Sequence, residues 1–170
     1  MIVFVDESGL SQRPHRVRTW SKRGVTPVLQ HQFNWDNLSI AAGITVWQFY
    51  FRVYDGTMGK EEVLDFVRHL NKQISPPILL IWDRLPGHRS RVVQDYLASL
   101  RGKIEAFYLP AYAPELNPAE YIWAHLKQHE LANFCPRDLW SLSSEARSAL
   151  RSMQRRRTIV AACWKQASLF

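Results

Sequence analysis

Cysteine is scarce. Cys135 and Cys163 are the only two in 170 residues, and they form neither a CxxC pair nor a His/Cys ligand cluster. That excludes a disulfide-stapled scaffold and a thiolate zinc site. The pair fits a reducing cytosol, with both thiols expected as small core residues. No apolar run approaches the ~20 residues that a membrane-spanning helix needs. Only Ile2 to Val5 stand between Met1 and Asp6. There is no basic n-region and no h-region, so no signal peptide is expected and the location is cytoplasmic. Internal repeats and low-complexity tracts are also missing. Acidic residues are in deficit, with 15 Asp and Glu against 22 Lys and Arg and a net charge of +7. A basic surface suits a polyanionic partner, nucleic acid or a membrane surface, and nothing in the chain supports the membrane. What is present is ample apolar material, 46% of the residues. A chain of this size buries roughly 70% of its unfolded surface, so one compact domain is expected.

Ile2 to Val5 reads as a buried strand running into a turn at Asp6-Glu7-Ser8-Gly9. Gln12 to Gly24 is basic and irregular. Val25 to Leu29, Leu38 to Val46 and Phe49 to Tyr54 read as three strands of an antiparallel meander. From Lys60 to Ile74 the period becomes helical, with Val63, Phe66, Val67 and Leu70 on one stripe, and Pro76-Pro77 ends it. Ile78 to Trp82 is a continuous apolar run, expected as a strand covered on both faces. Ser90 to Leu100 is a helix and Ile104 to Leu109 a strand. Pro110 to Pro118 is a proline-punctuated loop, Pro118 to Leu131 a helix, and Asp138 to Phe170 two more helices. Strands first, then alternating helices and strands, give a mixed sheet with helices on both faces. An RNase H-like arrangement has this order, as do other α/β folds.

Asp6 and Asp83 each follow an apolar strand, and Glu120 opens a helix after a rigid loop. Carboxyl ends of strands are where α/β sites assemble. Three carboxylates converging there would repel one another, and a divalent cation would relieve that. Oxygen ligands suit Mg²⁺ or Mn²⁺, and two such ions about 3.5–4 Å apart can activate a water or 3′-hydroxyl and stabilise a leaving oxygen. Taken singly, each residue is more often a turn, a cap or a complement to a helix dipole.

The surrounding text narrows this. Phe4-Val5-Asp6-Glu7-Ser8-Gly9, then Trp20, Gly24, Thr26 and Pro27, resembles the first block of IS630-type transposases. Leu80-Ile81-Trp82-Asp83 with His88-Arg89-Ser90 resembles the second. Leu109 to Glu120, then Trp123 and Leu126-Lys127, resembles the third. Leu131-Ala132-Asn133, Asp138-Leu139 and the Arg-rich helix resemble the tail. The similarity to the IS630/Tc1-mariner family of DDE transposases spans nearly the whole chain. It implies an RNase H-like catalytic domain over residues 1–135, with 136–170 a helical extension packed on it. It implies a triad of Asp6, Asp83 and Glu120 as catalytic metal ligands, with thirty-six residues between the last two. The implied reaction is Mg²⁺-dependent hydrolysis at transposon ends, then attack of the freed 3′-hydroxyl on target DNA. A homo-oligomer would join the two ends. Family members usually carry helix-turn-helix domains before the first Asp, and here Asp6 comes almost at once. The expectation is a catalytic half served by a separately encoded helix-turn-helix partner, with a non-catalytic nucleic-acid-binding remnant of a truncated transposase as the alternative. A further alternative is an RNase H-like nuclease acting on RNA–DNA hybrids or junctions. Arg84 departs from the Asn that commonly follows the second Asp.

Other residues carry expectations of their own. His88 either approaches the scissile phosphate or orients a metal-bound water, or else it only bonds backbone at a helix entry. Glu7 faces away from Asp6 on a strand and is expected to be structural. Asn117 is placed to N-cap the helix that carries Glu120, and with Tyr112 shapes its loop. Arg147, Arg151 and Arg155 form a stripe suited to DNA phosphates, although such stripes are usually only solvated. The Arg13 to Arg23 segment has a similar claim. Trp20, Trp35 and Trp47 are expected in the core.

Overall fold

The computed structural model describes residues 1–31, 36–110 and 113–169. Five strands form one mixed sheet: β1 Ile2–Ser11, β2 Asn37–Ile44, β3 Phe49–Asp55, β4 Ile78–Trp82 and β5 Ile104–Tyr108. The order across it is β3-β2-β1-β4-β5. The β1–β2 and β2–β3 pairs are antiparallel, while β1–β4 and β4–β5 are parallel. Helices α1 (Lys60–Gln73) and α2 (Arg91–Ser99) cover one face. Helices α3 (Pro118–His125), α4 (Leu139–Arg155) and α5 (Arg157–Gln166) cover the other. This is the mixed sheet with helices on both faces that the order of elements predicts.

Alternation along β1 feeds two cores. Val3 and Val5 pack with Phe66, Leu70 and Trp82 on the α1/α2 side. Phe4 and Leu10 pack with Ile122, Leu126 and Leu150 on the other. Continuous apolar runs follow, because both faces are dry. Gly43 is needed where β2 meets α1: a Cβ there would lie 3.1 Å from Leu70 and Val3 side-chain carbons.

Five expectations need correction. The turn at Asp6 is absent, and β1 runs on to Ser11. Its parallel partner β4 pairs only with Ile2, Val3 and Phe4, but β2 pairs antiparallel from Phe4 to Ser11 and supplies the later bonds. Asp6 therefore sits inside a strand, not after one. Val25 to Leu29 is not a strand. Pro27 has no N–H to donate, and Val25 and Val28 find no core and stay exposed. The tryptophans Trp20 and Trp47 are not core: they are 99% and 71% exposed. Trp35 and Tyr112 lie outside the described residues. Cys163 is buried as expected, whereas Cys135 is only half-buried. The helix expected over Pro118 to Leu131 widens after His125 into a π-helical segment, Leu126–Glu130. No helix among the described residues is long and apolar enough to cross a membrane.

Candidate active site

Asp6, Asp83 and Glu120 line one open cleft of about 480 Å³, together with Arg84, Leu85, Pro86, Leu109 and Asn117. Each reaches it from a different element. Asp6 projects from mid-β1 toward α3. Asp83 is the first residue past β4, and Glu120 stands in the first turn of α3.

Neighbours fix the orientation of each. The Trp123 indole N–H donates to Asp6 Oδ2 at 2.6 Å. Trp123 lies one helical turn beyond Glu120, so the same face of α3 presents one carboxylate and holds another. Asn117 ties the start of α3 to β1. Its Oδ1 accepts from Ala119 N at 3.1 Å, the expected N-cap, and its Nδ2 donates to Val5 O at 3.2 Å, beside Asp6. Pro118 at the first helical position suits this entry.

Asp83 is held by His88. The imidazole donates from Nδ1 to Asp83 Oδ1 at 2.8 Å and from Nε2 to Glu7 Oε1 at 2.7 Å. The backbone N–H of Leu85 donates to the same Asp83 oxygen at 2.9 Å. His88 is only 1% exposed and stacks on Trp82, ring centroids 4.3 Å apart and 5° from parallel. It is thus a buried clamp between two carboxylates. Glu7, on the α1/α2 side of β1, anchors that clamp, the structural role expected of it. Gly87 lets the loop lie against α1, where a Cβ would meet Val63 Cγ2 at 3.2 Å. The Gln94 amide of α2 donates to His88 O at 2.8 Å.

The electrostatics follow from this packing. Burial, then the charge of Glu120, pushes the Asp6 carboxyl up to about 8, against the lowering effect of the Trp123 bond. Burial also pushes Glu120 up; Lys127 opposes this and Asp83 adds to it. Burial acts on Asp83 in the same sense, but the bonds from His88 and Leu85 outweigh it and hold the group below its usual range. For His88, burial disfavours the charge, yet the bonds to Asp83 and Glu7 prevail and push the imidazole up to about 10.

The donor set fits a divalent cation. Asp6 Oδ1, Asp83 Oδ2 and the Glu120 carboxylate have no hydrogen-bond partner among the described residues. Among those residues no group of three or more His, Cys, Asp or Glu side chains stands close enough to hold a metal ion as it is. Carboxylates lining one cleft repel one another, and a cation would relieve that repulsion.

The arginine stripe lies elsewhere. Arg147, Arg151 and Arg155 flank the edge strand β3, beside a groove of about 780 Å³ that also contains Arg52 and His69. Arg147 donates to Val53 O at 2.9 Å, and Gln154 bonds Phe49 O, so α4 covers outward carbonyls of this edge. Two supports of the site, Trp123 and the Glu7–His88 bond, were not legible as such. The three- and four-residue steps from Glu120 to Trp123 to Lys127 were the available signal for the first. Nothing local signals the second, which joins residues 81 apart.

Residues 1–142 match the family described as DDE superfamily endonuclease. No curated protein matches the chain. Among solved structures, the Mos1 transposase paired-end complex with left transposon end is similar over 98% of this chain and 52% of that one. The TM-score is 0.73 and the identity 18%. The catalytic domain of Mos1 mariner transposase is similar over 98% and 77%, at TM-score 0.69 and 15% identity. The chain thus spans about half the length of the Mos1 chains in such complexes, and at these identities the likeness establishes the fold, an RNase H-like one. With the match over residues 1–142, the chain belongs to the DDE superfamily endonuclease family.

Proposed function

We propose that this chain is the catalytic domain of a transposase, a metal-dependent DNA endonuclease and strand transferase acting at transposon ends. Asp6, Asp83 and Glu120 are its metal ligands and Mg²⁺ or Mn²⁺ its cofactor, two ions in all. When bound, such ions activate the attacking oxygen and stabilise the leaving one. The chain's own residues do the rest. Trp123 and Asn117 hold Asp6 and the Glu120 helix in register. Glu7 and His88 hold Asp83 through one of its oxygens. Arg147, Arg151 and Arg155 meet DNA phosphates away from the point of cleavage. Two copies join two DNA ends, with end recognition supplied by a helix-turn-helix domain; the Mos1 structures hold paired transposon ends.

The observation that carries this reading is the single cleft lined by three carboxylates from three separate elements. Its test is nicking of supercoiled plasmid in Mn²⁺. The chain nicks, chelation stops it, and Asp83→Asn abolishes it while the far-UV spectrum is unchanged. Equal nicking by Asp83→Asn would overturn the assignment.

A further inference from the structure

Arg84 has no part in the account so far. It is the one basic residue among the described residues that line the carboxylate cleft. It is exposed, and among the described residues it makes no hydrogen bond and no ion pair. Arginines on a surface are ordinarily just solvated. This one stands where Asn117 and three carboxylates are the other polar side chains, and the rest of the lining is leucine, proline and alanine.

The turn after β4 explains why Arg84 stays unpaired. Leu85 N donates to Asp83 Oδ1 at 2.9 Å, which closes a side-chain turn around Arg84. His88 N donates to Leu85 O at 3.1 Å, and Pro86 between them has a fixed φ. The bond that holds Asp83 thus also fixes the backbone from which Arg84 projects. The charge of His88 acts on Asp83, and those of Lys127 and Asp83 act on Glu120, whereas that of Arg84 acts on neither. The guanidinium therefore lines the cleft without neutralising the triad. On the proposed function cations take up those carboxylates, so the anion left for Arg84 is one that the substrate brings.

A phosphodiester fits that place. The forked N–H donors of an arginine match two oxygens of one phosphate. Adjacent Cα atoms lie about 3.8 Å apart, and successive phosphates of one strand lie about 3.4 Å apart along the duplex axis. A phosphate at Arg84 is then the neighbour of one at Asp83. We propose that Arg84 binds the DNA phosphodiester next to the scissile one and so holds the strand across the cleft. This rests on the reading of the chain as a DNA-cleaving enzyme and names a substrate contact which that reading lacks. Position 84 is also where the chain departs from the Asn that commonly follows the second Asp, so the contact is this chain's own.

The test is nicking of supercoiled plasmid in Mn²⁺ over a range of plasmid and salt concentrations, with calorimetric Mn²⁺ titration of the same proteins. Arg84→Gln should raise KM several-fold with kcat nearly unchanged, and the salt dependence of kcat/KM should be shallower by about one ion. Arg84→Lys, which keeps the charge and loses the fork, should restore the slope and keep part of the rise in KM. Lys103→Gln removes an exposed charge just before β5, at the end of the sheet away from the cleft, and should change neither. Mn²⁺ affinity in Arg84→Gln should equal or exceed that of the wild type, because a cation near the metal ligands has gone. Wild-type KM and slope in Arg84→Gln would overturn the assignment, and so would an equal loss of slope in Lys103→Gln. Weakened Mn²⁺ binding in Arg84→Gln would also overturn it, by marking a prop for Asp83 instead of a substrate contact. In those three cases the wild type still nicks, and the nuclease reading stands. If the wild type does not nick, the assignment and the functional reading fail together.

Discussion

Trp123 carries much of the geometry. Its indole N–H bond both orients Asp6 and occupies one of its oxygens. Trp123→Phe keeps most of the ring's packing and deletes the donor. Residues that orient metal ligands typically change affinity by about 10–100-fold. Mn²⁺ titration of Trp123→Phe should show a loss of that order, and an affinity within twofold of wild type would refute the role. Asp6 also gives a pH prediction. Its folded pKa of about 8 lies above its ordinary 3.8, so the metal-free folded chain holds the proton more tightly than the unfolded one. That contribution favours folding at low pH and is lost as pH rises from about 4 through 8. On the proposed reading, a cation held by Asp6 would have to displace the same proton. Mn²⁺ should therefore raise Tm more at pH 8 than at pH 6, and an equal or larger rise at pH 6 would contradict this. His88 has the opposite charge type. Pushed up to about 10, it contributes stability fully below 6.5 and loses it as pH rises through 10.

Elements explain why some of the site was legible and some was not. Apolar runs and helical periods reveal β4, β5, α1 and α3, because burial on one stripe or both faces is written locally. The Asn117 cap is local too, since its acceptor and its donor stand two residues apart. The length of β1 was not legible, because the partner that extends it lies some thirty residues away and pairing is a tertiary fact. Exposed Trp20 and Trp47 misled for the same reason: residue type reports average burial, whereas their positions lie off the sheet's covered faces. Two predictions belong at this scale. Asn133→Ala removes both side-chain bonds to Val17 and should cost about 1–3 kcal/mol, taking about 0.5–1.5 for each bond. Limited proteolysis should then cut between Arg13 and Arg18 first, and an unchanged digestion pattern would count against the docking. Gly87→Ala puts a methyl 3.2 Å from Val63 Cγ2 and should lift the His88 loop from α1. The expected result is reduced nicking with Tm lowered by a few degrees; full activity would mean the loop need not lie there.

Across the whole molecule the sheet separates two kinds of surface. The carboxylate cleft opens where β1 and β4 adjoin, while the arginine groove runs along the far edge at β3. The basic residues behind the net charge of +7 include the arginines of the β3 groove, whereas the triad cleft is lined by carboxylates. On the proposed function, DNA approaching the basic surface would meet this slot with a bound cation making it receptive. Composition made the basic character legible, and the motif text made the triad legible. The sides on which they lie required the fold. The central claim is that Asp6, Asp83 and Glu120 form one metal site, and binding of Mn²⁺ to the folded chain tests it without requiring DNA. Calorimetric titration should show Mn²⁺ bound by the wild-type chain and binding weakened at least tenfold in each of Asp6→Asn, Asp83→Asn and Glu120→Gln. Wild-type affinity in any one of the three would remove that residue from the site, and in all three would contradict the account.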